Sequence, residues 1–239
     1  MTASISSIRK SYLQVFNEVR RKVGVKEIST LGADALGLAM IDYTNDILSQ
    51  ISDYGDWQEM YKEENFPFTT AQSSVSDWTF NTSANIKNIH EVQFGTMIAP
   101  LRLVTLDDIR RLYRTKSYGV PTQWGVVGTD NVTTGNPIVR VFPTPVTAQA
   151  SANFNIGYYK KPAIITTADT SAITPFPSKL VSQGLLAYVL RDEERGNQSQ
   201  QWAQEYQIFQ NVLEETFNRY NGDMGSDTYF MPPRGRRGK

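Results

Sequence analysis

The sequence predicts an α+β protein: a helical bundle built from N- and C-terminal helices, a β-rich antiparallel insertion between them, and a flexible C-terminal tail. Three observations predict it. Apolar residues recur at spacings of three and four near both ends of the chain, the period of a helix face. In the middle they alternate with polar residues, the period of a half-buried strand. The last 19 residues carry too little apolar surface to fold alone.

In chain order, Ile5, Ile8, Tyr12, Phe16, Val19 and Val23 form the first helical stripe, with Gly24 as its stop. Leu36, Met40, Tyr43, Ile47, Ile51 and Tyr54 form the second, ending at Gly55. These define the N-terminal part of the bundle, 1–56. The insertion, 57–162, is rich in Thr, Val, aromatic residues and turn formers. Trp78 and Phe80 alternate with polar neighbours, as do Val92 and Phe94. Gln123 to Gly128 and Ile138 to Phe142 flank the polar loop Thr129 to Pro137 and read as a hairpin. Phe154, Ile156 and Tyr158 mark the clearest half-buried strand. One short helix, Leu106 to Arg114, interrupts, with Thr105 or Asp107 near its start as a cap.

Residues 163–177 read as a linker returning to the helices, because Thr, Ala, Asp and Ser lead into Pro175-Phe176-Pro177. The C-terminal part of the bundle, 178–220, opens with Leu180 to Arg191, apolar nearly all round and therefore buried on most sides. Gly196 and Asn197 break it. Trp202, Tyr206, Phe209, Leu213, Phe217 and Tyr220 then stripe a last helix. The basic tail, 221–239, holds four glycines, two prolines and four basic residues. At about 3.3 Å per residue it reaches roughly 60 Å when extended.

Composition narrows the function. With no cysteine, a disulfide framework, thiolate metal sites and cysteine nucleophiles are all excluded. Basic and acidic residues number 24 each, so no global field draws the chain to nucleic acid or to anionic lipid. The first residues lack the apolar segment of a secretory signal, and no apolar run approaches the roughly 20 residues of a membrane span. The expectation is a soluble protein without a membrane partner.

Catalytic constellations are thin. His90 is the single histidine, in the strand-like stretch Ile89-His90-Glu91-Val92, and one imidazole is too few for most zinc sites. The carboxylate pairs Glu63-Glu64, Asp107-Asp108, Glu193-Glu194 and Glu214-Glu215 are sequence neighbours. Neighbours on a helix do not face each other, so these read as solvated faces or first-turn charges. Arg110, Arg111, Arg114 and Lys116 cluster at the end of the short helix, where cations are favoured by the helix dipole; phosphate contact is the alternative. No catalytic, cofactor-binding or metal-ligating residue is assigned, and no cofactor is expected.

The ordered series in the second half carries a resemblance. Gly119-Val120-Pro121 precedes Trp124. Ile138-Val139-Arg140-Val141-Phe142 runs into Pro143-Thr144-Pro145, and Phe154-Asn155-Ile156-Gly157-Tyr158-Tyr159 into Lys160-Lys161-Pro162. Pro175-Phe176-Pro177, the apolar helix, Glu193-Glu194 and the aromatic helix with Trp202 and Tyr206 follow. Over roughly residues 35–217 this resembles the head-to-tail adaptor, or connector, proteins of tailed bacteriophages. Residues 57–95 contribute no recognisable pattern.

The resemblance implies a structural virion protein and not an enzyme. It implies a dodecameric ring beneath the portal protein, extending the DNA channel and offering the tail or nozzle protein its attachment surface. The partners implied are the portal, copies of the chain itself, a tail component, and genomic DNA passing without sequence-specific contact. The protein would be made in the host cytoplasm and reside at the head-to-tail interface. By position, the tail 221–239 is the extension that reaches the portal. Tyr229, Phe230, Met231, Arg234, Arg236 and Arg237 are its contact residues, since aromatics and Arg dominate interface hot spots. Two other readings stand beside it. One is a virion-associated peptidoglycan-degrading enzyme using Glu63 or Glu64; the other is a nucleic-acid-binding module acting through the basic tail.

Overall fold

Ser11 starts the first helix by a reciprocal cap: its hydroxyl accepts from the Gln14 N–H at 3.3 Å, while the Gln14 side chain accepts from the Ser11 N–H at 3.0 Å. α1 therefore runs Tyr12–Lys22. The earlier members of its predicted stripe, Ile5 and Ile8, lie outside the described residues. This computed structural model describes residues 9–67, 77–79, 85–97, 99–129, 136–146, 152–193 and 201–222.

Asp34 caps α2 (Ala35–Tyr54), accepting from Gly37 N–H at 2.8 Å. Buried Arg20, at the end of α1, holds the same carboxylate through two contacts of 3.1 and 2.6 Å and donates to the Lys26 carbonyl. Arg20 is thus satisfied although only 2% exposed. The loop between the helices is pinned by side chains rather than by regular structure.

The bundle is closed by α4 (Ser178–Glu193) and α5 (Gln201–Gly222), so both chain ends contribute to one core. Val15, Phe16, Met40, Ile47, Ile51, Leu180, Leu185 and Phe209 are among its fully buried members. The nearly all-round apolarity of α4 has a simple cause, because α1, α2 and α5 all pack against it.

Among the described residues, seven strands form two small sheets. The first has the order β1 (Tyr61–Pro67), β7 (Asn153–Lys160), β3 (Ile86–Phe94), all antiparallel. The second has the order β2 (Asp77–Thr79), β6 (Pro137–Phe142), β5 (Gln123–Thr129), β4 (Arg102–Leu103). The predicted hairpin is the β5–β6 pair, with Gln123 opposite Phe142 and Thr129 opposite Pro137. Antiparallel pairing holds for every described pair but β4–β5, which is parallel because α3 (Leu106–Tyr113) intervenes as a crossover.

The two sheets enclose a second core. Val92, Phe94, Phe154, Ile156 and Tyr158 come from the first sheet, and Trp124, Val139 and Val141 from the second. These are the alternate positions of each strand, as the period of two requires. Trp124 donates its indole N–H to the Leu101 carbonyl at 3.1 Å. On the outside, Thr105 caps α3, Ile109 is fully buried, and the Tyr113 hydroxyl donates to the Val141 carbonyl at 2.9 Å. The fold is therefore α+β with a bundle and a sandwich.

The segment 163–177 is fastened along its length. Asn45 exchanges two hydrogen bonds with the Ile165 backbone, at 3.1 and 2.9 Å. Ala172 and Thr174 bond the backbones of Tyr12 and Lys10. Phe176 is fully buried, its ring 5.3 Å from that of Trp57. Among the described residues, no helix is long and apolar enough to cross a membrane.

Candidate functional site

The residues singled out in the sequence fall in four places. Tyr229, Phe230, Met231, Arg234, Arg236 and Arg237 lie outside the described residues, as do Glu194 and Phe80.

His90 sits at a bulge of β3, exposed, with its ring about 6 Å from those of Tyr61 and Tyr159. It has edge contacts to two aromatic rings and no catalytic neighbour among the described residues. The adjacent carboxylates Glu63 and Glu64 point to opposite faces of β1, because side chains alternate along a strand. They do not act as a pair. The carboxylate that joins Glu63 is one the sequence reading passed over: Glu91, on β3, reaches it across Gly157 of β7.

Gly157 makes this possible. A Cβ there would lie 2.3 Å from the Tyr61 hydroxyl, which rests over the glycine. That hydroxyl donates to Glu63 Oε1 at 3.1 Å and Glu91 Oε1 at 3.4 Å. Burial, then the Glu63 hydrogen bond, pushes the Tyr61 pKa well up, so the hydroxyl stays a donor. Glu63 is exposed and Glu91 half-buried, on a sheet face shared with Asn65, Asn155 and Gln93. The arrangement ties three strands together across a polar face. Among the described residues, no group of three His, Asp or Glu side chains is placed to hold a metal.

The remaining carboxylate pairs are dispersed. Asp107 and Asp108 occupy the first turn of α3, where Thr105 donates to Asp108 at 2.8 Å. Glu214 and Glu215 are exposed on α5, and Glu215 pairs with Arg219 one turn on. Glu193 ends α4.

The basic cluster is gathered into one surface. Arg110, Arg111, Arg114 and Lys116 are all exposed around the end of α3, on the outer side of the second sheet. Arg102, on β4, adds a fifth exposed cation at the edge of that sheet. None has an ion-pair partner among the described residues. Lys116 takes a left-handed conformation, φ 44°, at a place where glycine is the usual residue. Large apolar side chains are exposed beside the cations: Leu103 at 50%, Tyr118 at 62% and Val120 at 48%.

A complementary surface went unnoticed in the sequence. Asp42, Asp46 and Asp53 are exposed on α2 and, with Leu38 and Ser49, recur at spacings of three and four on the side away from the core. Again no cation pairs with them among the described residues. Beside them a cleft of about 320 Å³ is lined by Ser49, Asp53, Lys161 and Ile164. The signal was present as the polar complement of the stripe from Leu36 to Tyr54.

What the chain presents, then, is a set of exposed surfaces of segregated charge with apolar residues beside them, a pattern suited to binding other macromolecules. Comparison with known proteins accords with that. The sequence model of a protein family described as SU10 adaptor protein matches residues 10–233, from the start of α1 past the end of α5. A search of curated proteins returns no match.

Proposed function

Because the chain belongs to the SU10 adaptor protein family, and is therefore a structural adaptor of the phage particle, we propose that it forms a ring beneath the portal at the head-to-tail interface. Copies of the chain surround the path of the DNA, and the outer end of the ring receives the tail or nozzle protein. The observation that carries this reading is the extent of the family match, which takes in bundle and sandwich together. A protein of the virion made in the host cytoplasm fits the absence of cysteine from the whole chain.

In this reading the segment 221–239 reaches the portal, and Tyr229, Phe230, Met231, Arg234, Arg236 and Arg237 make the contact. An arm on every copy makes attachment multivalent, so that weak single contacts add up around the ring. DNA passes the assembled ring without sequence-specific contact, which the balanced net charge supports.

The test is a binding measurement between purified portal and either the full chain or a chain ending at residue 220. Portal binding should weaken at least about tenfold on truncation if each copy contributes one arm, with the circular dichroism spectrum unchanged. Equal binding by both forms would show that the portal contact lies elsewhere.

A further inference from the structure

We propose that the basic surface around α3 of one copy docks on the acidic face of α2 of the next copy. This rests on the ring reading above and names the contact that closes the ring.

The charges of the chain balance at 24 of each sign, yet they are not mixed evenly over its surface. Arg102, Arg110, Arg111, Arg114 and Lys116 stand exposed on the sandwich, and Asp42, Asp46 and Asp53 on the bundle. Some exposed charges elsewhere are neutralised at close range, as Lys10 is by Glu18 and Arg219 by Glu215, while Lys26, Lys179 and Glu214 stand singly without an ion pair among the described residues. The two sets differ from these in gathering several charges of one sign on one surface, which suits an intermolecular partner of opposite charge. Each set occurs on every copy, so a second copy supplies the complement without any other component.

The apolar residues decide between a copy and nucleic acid as the occupant. Phosphate contact asks only for cations and polar donors. Here Leu103, Tyr118 and Val120, 48–62% exposed, accompany the arginines, while Leu38 at 50% and Ile164 at 75% accompany the aspartates. A protein interface uses both, with aliphatic and aromatic anchors at its centre and charges that set orientation. The two faces lie on different modules, sandwich and bundle, so the contact is heterologous. Repeated from copy to copy, a heterologous contact makes a ring when its rotation closes.

Charge reversal tests the pairing in the full-length chain. One variant carries Arg110→Glu, Arg111→Glu and Arg114→Glu; another carries Asp42→Lys, Asp46→Lys and Asp53→Lys; a third carries all six. Every site is exposed, and circular dichroism checks that each variant folds. Self-association is read by analytical ultracentrifugation at low ionic strength, where exposed charges are least screened. Each triple variant should associate at least about tenfold more weakly than the native chain, and the six-site variant should recover to within about threefold.

Triple variants that associate like the native chain, or a six-site variant no better than either triple, would overturn the proposal. So would loss of duplex DNA binding on arginine reversal with self-association unchanged, which would assign the surface to nucleic acid. If association follows the charge swap but no form binds portal, the contact stands and the portal reading fails.

Discussion

The ammonium nitrogen of Lys87 lies 2.6 Å from the carbonyl oxygen of Gly55, so a strand of the sandwich closes the end of a helix of the bundle. A helix C-terminus leaves its last carbonyls without intrahelical partners and carries partial negative charge. α2 has no basic residue in its last turn. Lys87 supplies the cation from outside, bonding also to the Ser52 carbonyl at 2.5 Å and to Asp56 at 3.2 Å. Asn88 adds a hydrogen bond to Asp56 at 3.1 Å. The joint between the modules is thus polar on one side. On the other it is aromatic: Trp57, 2% exposed, donates to the Ile51 carbonyl and meets the rings of Phe176 and Phe217.

Replacing this cation by an apolar side chain of similar length isolates its role. Lys87→Met should lower stability by about 1–2 kcal/mol through the loss of charged hydrogen bonds at a helix terminus. Urea denaturation followed by tryptophan fluorescence measures it, since Trp57 lies at the joint. An unchanged midpoint would mean that the two modules are held by the aromatic contacts alone.

Gly55 is also where Phe217 of α5 crosses the end of α2. A Cβ at Gly55 would lie 2.2 Å from the ring, and the backbone there is extended, so the obstacle is steric and not conformational. Gly55→Ala should cost about 1–3 kcal/mol as an overpacking substitution. Adding Phe217→Leu to it should cost less than Phe217→Leu does in the native background, because the smaller side chain relieves the clash. Strict additivity of the two changes would contradict the contact.

The pH dependence of stability should reflect groups shifted in opposite directions, of which Asp34 and Tyr12 serve as the test cases. The Arg20 hydrogen bonds, then that of the Gly37 N–H, hold the Asp34 carboxyl below its usual value of 3.8. A depressed acid contributes stability that is present above that value and lost as pH falls through its folded-state constant. Burial, then the charge of Asp169, pushes the Tyr12 hydroxyl from 10.0 up to about 12. A raised group contributes stability that is complete below 10.0 and lost as pH rises toward about 12. Melting temperatures should therefore fall below about pH 4 and above about pH 10. Asp34→Asn should make the acid limb shallower and Tyr12→Phe the alkaline one, where the raised Tyr61, Tyr158 and Tyr159 carry the rest, each leaving the other limb in place.

Much of this fold was legible because its signals are local. The stripe of α2 and the all-round apolarity of α4 reflect burial, and Phe154, Ile156 and Tyr158 show the period of a strand against a core. What was not legible depends on groups distant in sequence. Glu63 and Glu91 meet only because Gly157 lies between their strands, and Lys87 caps a helix on another module. The start of α1 at Tyr12 was set by the Ser11–Gln14 cap, whereas the apolar spacing continued upstream to Ile5. The basic residues of α3 were visible as a run. Their counterpart on α2 was hidden, because three aspartates in one helix read as ordinary solvation until the fold shows that no cation among the described residues pairs with them.

The central claim is that this chain forms a ring at the portal. Electron microscopy of purified portal incubated with the full-length protein tests it most directly. A closed ring of additional density, coaxial with the portal and continuous with its channel, is the predicted result. Portal particles without added density, or the protein found only on a tail fibre of intact virions, would contradict it.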